Sequence, residues 1–108
     1  MESFFHITES NFELEVIKSA SPVLLEFGAT WCGPCKQLEP ELAKLGVEWA
    51  GKVRLAKVDV DESPDLAMKF GVMGVPTMIL FVGGEAKQRL SGYQPRQRII
   101  EKMGSYLG

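Results

Sequence analysis

The chain has 108 residues, 45% hydrophobic and 24% charged, the composition of one folded domain with a modest core and not of a disordered segment. Its 12 basic and 14 acidic side chains leave a net charge of -2, too weak a field to draw in nucleic acid or an anionic membrane, so affinity for a partner must come from shape. The first residues, MESFFHITES, hold no basic segment leading into a long apolar run, and no other stretch is long enough for a bilayer span; the expectation is a cytosolic chain with neither signal peptide nor membrane helix.

Strand-like and helix-like segments alternate from end to end without a repeat or a linker, which predicts one α/β domain over residues 1–108. Phe4 to Ile7 reads as a short first strand, and TESNFELEVIKS as a cap followed by a helix that turns Phe12, Val16 and Ile17 inward. Pro22 to Gly28 is a nearly continuous apolar run, as in a central strand covered on both faces, yet Glu26 lies inside it. Cys35, Leu38, Leu42, Leu45 and Trp49 recur in steps of three and four and draw one apolar stripe down a long helix, which Pro40 is expected to kink by removing a backbone donor. Lys52 to Val60 is a second central strand, SPDLAMKFG a short helix with Pro64 near its start and Gly71 at its end, and PTMILFV a third strand. Gly83-Gly84 makes a hairpin turn into AKQRLSG, an antiparallel edge strand, and the last segment is a helix with Ile99, Ile100, Met103 and Leu107 toward the sheet.

The only two cysteines, Cys32 and Cys35, lie three apart in TWCGPCK. The stripe makes Cys35 buried. Cys32 falls at the loop-to-helix junction, where free backbone N–H groups and the helix dipole favour a thiolate, and is expected to be exposed. An accessible thiolate followed by a sheltered resolving thiol is what thiol–disulfide exchange needs. The alternatives are a structural staple, which would close too small a loop to remove much chain entropy, and a zinc clip, for which only the two cysteines and a remote His6 are at hand, so that two chains would have to share the ion. In a reducing compartment a close pair is more often catalytic or metal-binding than structural. Elsewhere, DVDESPD lacks the glycine and terminal glutamate of a calcium loop and reads as a turn with a helix cap. Met68, Met73 and Met78 read as packing, with Met73 also in position to touch substrates; His6 reads as a surface residue, Trp31 as a wall beside the nucleophile and Trp49 as core.

WCGPCK, a proline-bearing helix, then KVDVDE, VMGVPT and GGE in this order resemble the thioredoxin family over essentially the whole chain. The resemblance implies a central mixed sheet flanked by helices and a protein-disulfide reductase with Cys32 as nucleophile and Cys35 as resolving thiol. It implies no cofactor beyond the Cys32-Cys35 disulfide, disulfide-containing client proteins and a flavoprotein thioredoxin reductase as partners, and a monomer that binds neither nucleic acid nor membrane. It also implies a cis Val75-Pro76 bond, where the residues alone predict trans, since about one X-Pro bond in twenty is cis. The implied substrate groove is Trp31, Gly33, Pro34, Val75, Pro76 and Gly92. Gly33-Pro34 puts no positive charge beside the thiolate, which favours a reductant.

Two positions depart from the family pattern. Glu26 stands where an aspartate is usual, with Lys57 matching its lysine partner on the neighbouring strand; carried over, the pair makes Glu26 the acceptor of the Cys35 proton, through water. An ionised carboxylate among Leu24, Leu25 and Phe27 is costly, so Glu26 is expected to be neutral, hydrated or paired. Gly28 stands where a tryptophan is common, which is expected to open the floor of the site or let another side chain fill it. The competing function is a redox-independent binding module built on the same groove, or a protein dedicated to one client.

Overall fold

Side-chain alternation along β2 (Val23–Gly28) sets the architecture, because all six of its residues are buried and both faces must therefore be covered. Val23, Leu25 and Phe27 join one core, while Leu24 joins a second, and alternation puts Glu26 and Gly28 on the Leu24 face. The computed structural model describes residues 4–107. In chain order it contains β1 (Phe5–His6), a π-helical turn (Glu13–Ile17), β2, α1 (Gly33–Glu48), β3 (Arg54–Asp59), α2 (Pro64–Lys69), β4 (Thr77–Val82), β5 (Glu85–Ser91), α3 (Arg96–Met103) and a 3-10 turn (Gly104–Leu107).

The sheet order is β1-β3-β2-β4-β5. Strands β1, β2 and β3 run parallel, β4 pairs antiparallel with β2 and β5 pairs antiparallel with β4, so the sheet is mixed as expected, with β5 on an edge. Leu38, Leu42, Leu45 and Trp49 of the α1 stripe pack with Leu24, Leu55, Met78, Leu80, Ile99 and Met103 on one face. Phe12, Val16 and Leu66 cover the other face through Phe27, Val58, Ile79 and Phe81. Each such side chain taken from water contributes about 1.5–3 kcal/mol, which is why the elements that carry them fix the framework. Gly83 and Gly84 turn the hairpin with φ of 61° and 82°, and a Cβ on Gly84 would meet the Ile17 carbonyl oxygen at 2.7 Å, so the turn needs glycine twice over.

Several expectations change in detail. The first strand contains two residues, not four. The expected helix after it is a π-helical turn: the Lys18 N–H reaches back five residues to the Glu13 carbonyl, and this wider turn accompanies burial of both Phe12 and Val16 against the sheet. Met68 is 76% exposed and does not pack, whereas Met78 is fully buried. The last helix ends at Met103, with Ile100 half-buried against the core, and Leu107 follows in the 3-10 turn, also half-buried against it. Helix α1 continues through Pro40.

Candidate functional site

The start of α1 positions the cysteines. Cys32 is the N-cap, in an extended conformation (φ -87°, ψ 110°), and its sulfur accepts the Cys35 backbone N–H at 3.1 Å. Pro34, within the first turn, removes a donor that would have no helical partner there. The sulfurs are joined in a disulfide, with Cα atoms 5.3 Å apart. Cys32 is not exposed as expected: it is 3% accessible against 1% for Cys35, because Ala29, Val60 and Val75 close around both. What separates the two sulfurs is location. Exposed Trp31, Gly33 and Pro34 surround Cys32, while Cys35 heads the inward stripe.

The Val75-Pro76 bond is cis, as the resemblance implied, and Val75 packs on the disulfide. The Gly92 N–H donates to the Pro76 carbonyl at 2.7 Å, and the Thr77 hydroxyl to the Gly74 carbonyl at 2.7 Å, so this loop is held from two sides. A cavity of about 600 Å³ lies along Met73, Val75, Pro76, Arg89 and Gly92, and a second of about 190 Å³ along Trp31, Val60, Val72, Met73 and Val75. Gly33 and Pro34 line neither. Met73 is 97% exposed and walls both cavities, in keeping with a substrate contact and not with packing. Trp31 is 67% exposed, and its indole N–H donates to Asp61 Oδ2 at 2.7 Å, which fixes the ring. Asp61 was not legible as part of the site, since the bond spans 30 positions.

Beneath the disulfide lies Glu26, fully buried, with neither carboxyl oxygen hydrogen-bonded among the described residues. Burial raises its pKa to about 7 from 4.5; the Glu39 carboxylate adds to the rise and the Lys57 ammonium offsets part of it. A Cβ on Gly28 would stand 3.2 Å from Glu26 Oε2 and 3.4 Å from Cys35 Sγ, so the carboxyl and the sulfur flank the same glycine. The Glu26 carboxyl and the Cys35 sulfur are thus the side-chain groups nearest Gly28.

Lys57 lies beside Glu26 by strand register, but its ammonium is 2.5 Å from Glu39 Oε2. The expected Glu26–Lys57 pair is replaced by Glu39–Lys57, because Glu39 meets the lysine where both side chains keep some contact with water, whereas a charged Glu26 would have to be fully desolvated. Glu39 is not among the site residues that the sequence motifs point to. Its signal was its place one turn after Cys35, between Leu38 and Leu42 of the stripe.

Two cysteines bonded at a helix start, a cis proline across from them and a buried carboxyl below define a disulfide site, and comparison with known proteins agrees. The thioredoxin family model matches residues 3–105. The chain belongs to the thioredoxin family. It is 44% identical to the thioredoxin of Staphylococcus haemolyticus over 101 residues, 94% of this chain and 95% of that one. It is 41% identical to the thioredoxin of Alicyclobacillus acidocaldarius, with the same coverage. To the chloroplastic M-type thioredoxin of Pisum sativum it is 39% identical over 94% of this chain and 59% of that one. As a thioredoxin-family protein with its cysteines at bonding distance, it is a thiol–disulfide oxidoreductase. Among the described residues no group of three or more His, Cys, Asp or Glu is placed to hold a metal ion, and no helix is long and apolar enough to cross a membrane.

Proposed function

We propose that the protein reduces disulfides of client proteins in the cytosol, as a single-domain monomer whose only redox group is the Cys32-Cys35 pair, recharged by a flavoprotein thioredoxin reductase. The observation that carries this reading is the Cys32 sulfur at the α1 N-cap, accepting a backbone N–H. The same N–H and the helix dipole stabilise a thiolate there once the pair is reduced. The Cys32 thiolate attacks one sulfur of the client disulfide, forming a mixed disulfide and expelling the other client sulfur as a thiolate. Cys35 then gives its proton to Glu26 and attacks Cys32; the Cys32-Cys35 disulfide forms, the second client sulfur leaves as a thiolate, and two electrons have passed to the client. Trp31, Val75, Pro76 and Gly92 hold the client chain, with Gly33 and Pro34 exposed at the rim beside the nucleophile.

Insulin reduction with dithiothreitol, followed by the same assay with NADPH and thioredoxin reductase, tests this function. Acceleration over dithiothreitol alone is expected. Its absence would reject the reductase and leave a redox-independent binding module.

Trp31→Ala separates docking from chemistry. Removing an exposed aromatic wall is expected to raise KM for a protein disulfide about tenfold, the scale of one well-packed contact residue, while leaving reduction of a small aromatic disulfide nearly unchanged. Equal losses on both substrates would show that Trp31 serves the sulfur chemistry and not the groove.

A further inference from the structure

We propose that Glu39 is a positioning residue for the resolving step: by holding Lys57 in an ion pair it keeps the ammonium off Glu26, leaving that carboxylate as the acceptor for the Cys35 proton. The inference rests on the reading of Glu26 as that acceptor. Glu26 faces a small set of groups. From β3 comes Lys57, its register partner, with Asp59 two residues along the same face; from α1 come Cys35 and Glu39. Strand β4 contributes Met78, its register partner, and the core packed on this face of the sheet, with Leu80 of β4 and Ile99 and Met103 of α3, is uncharged. Lys57 is therefore the cation placed by register to neutralise Glu26, yet its nitrogen lies 2.5 Å from Glu39 Oε2 while both Glu26 oxygens lack a hydrogen-bond partner among the described residues.

The chemistry of the acceptor gives this arrangement a consequence. A carboxylate paired with an ammonium is stabilised as the anion and becomes a weaker base, and a general base works best when its pKa lies near the working pH. Glu39 acts on Glu26 in two ways, as a like charge and as the partner that occupies Lys57. The burial-raised pKa of Glu26 near 7, to which Glu39 adds more than Lys57 removes, agrees with this balance.

The two actions separate in a double-variant cycle read by carbon-13 NMR of the glutamate carboxyls, with the Glu26 signal assigned through Glu26→Gln. The protein is titrated in its oxidised form without any client, so failure here is distinguishable from failure to reduce disulfides. Glu39→Gln is expected to move the Glu26 midpoint to lower pH by about one unit or more, because Lys57 is released to it. In the Lys57→Met background the same substitution removes only the like charge, and the shift should be clearly smaller. Glu39→Ala serves as a second replacement should the glutamine variant fold poorly. The acid limb of single-turnover client release should move with the midpoint, a change that mere loosening of α1 would not produce. Equal shifts in the two backgrounds, or no shift, would overturn the proposal.

Discussion

Cys35→Ser is expected to arrest the protein on its client as a mixed disulfide, while Cys32→Ser forms no adduct at all. Both lower catalysed reduction by roughly three orders of magnitude or more, the scale on which removal of a nucleophile acts. The prediction turns on location and not exposure, because the two sulfurs are buried almost equally. Cys32 caps α1 and accepts the Cys35 N–H, and the exposed residues around it are those a client chain would touch. Cys35 lies on the inward face of the helix, its sulfur flanking Gly28 together with the Glu26 carboxyl, the group proposed to take its proton. Intact-mass spectrometry after mixing each variant with an excess of disulfide client identifies the adduct, and alkylation of the reduced parent at neutral pH should map first to Cys32. An adduct on Cys35 in the Cys32→Ser protein, together with early alkylation of Cys35, would reverse the two roles.

Short-range periodicity made most of the framework legible. The run from Pro22 to Gly28 and the stripe from Cys35 to Trp49 have one way each to bury their apolar side chains, and the sheet and α1 follow from them. The segment after Thr8 was harder, since the spacing of Phe12 and Val16 fits an α-helix and the π-helical turn alike, and the choice is made by packing against the sheet. Met68 shows the limit of hydrophobicity as a guide: a methionine on a short helix such as α2 costs little when left in water, and nothing in its neighbours forces it inward. The site divides in the same way. The Cys32-Cys35 pairing was legible because its spacing is local, whereas the cis Val75-Pro76 bond was legible only through the family resemblance, since the residues alone predict trans. The partner of Lys57 was not, because Glu26 and Glu39 arrive from different elements and the choice between them depends on which carboxylate can ionise without full desolvation.

Glu26→Gln should make stability and activity move apart. Burial holds the folded-state pKa of Glu26 at about 7, with Glu39 adding to the rise and Lys57 offsetting part of it, against 4.5 for an unperturbed carboxyl. Below 4.5 the folded and unfolded chains are both protonated, and the stability associated with a neutral Glu26 is fully present. As the pH rises through the window from 4.5 to about 7, the unfolded chain has released its proton while the folded one retains it; stability falls across that window and levels off above it. The shift corresponds to about 3 kcal/mol for a group this deeply buried. Glutamine is neutral at every pH and matches the protonated side chain in shape, so the variant should equal the parent near pH 4 and exceed it by up to about 3 kcal/mol at pH 8. Release of the client should slow, because the amide takes no proton from Cys35, and formation of the mixed disulfide by Cys32 should continue. Urea denaturation of both proteins from pH 4 to 9, beside single-turnover reduction of a disulfide client, reads the two effects separately. Parallel stability curves would mean that Glu26 ionises in the folded protein as readily as in the unfolded chain, and an unchanged release rate would require another acceptor for the Cys35 proton.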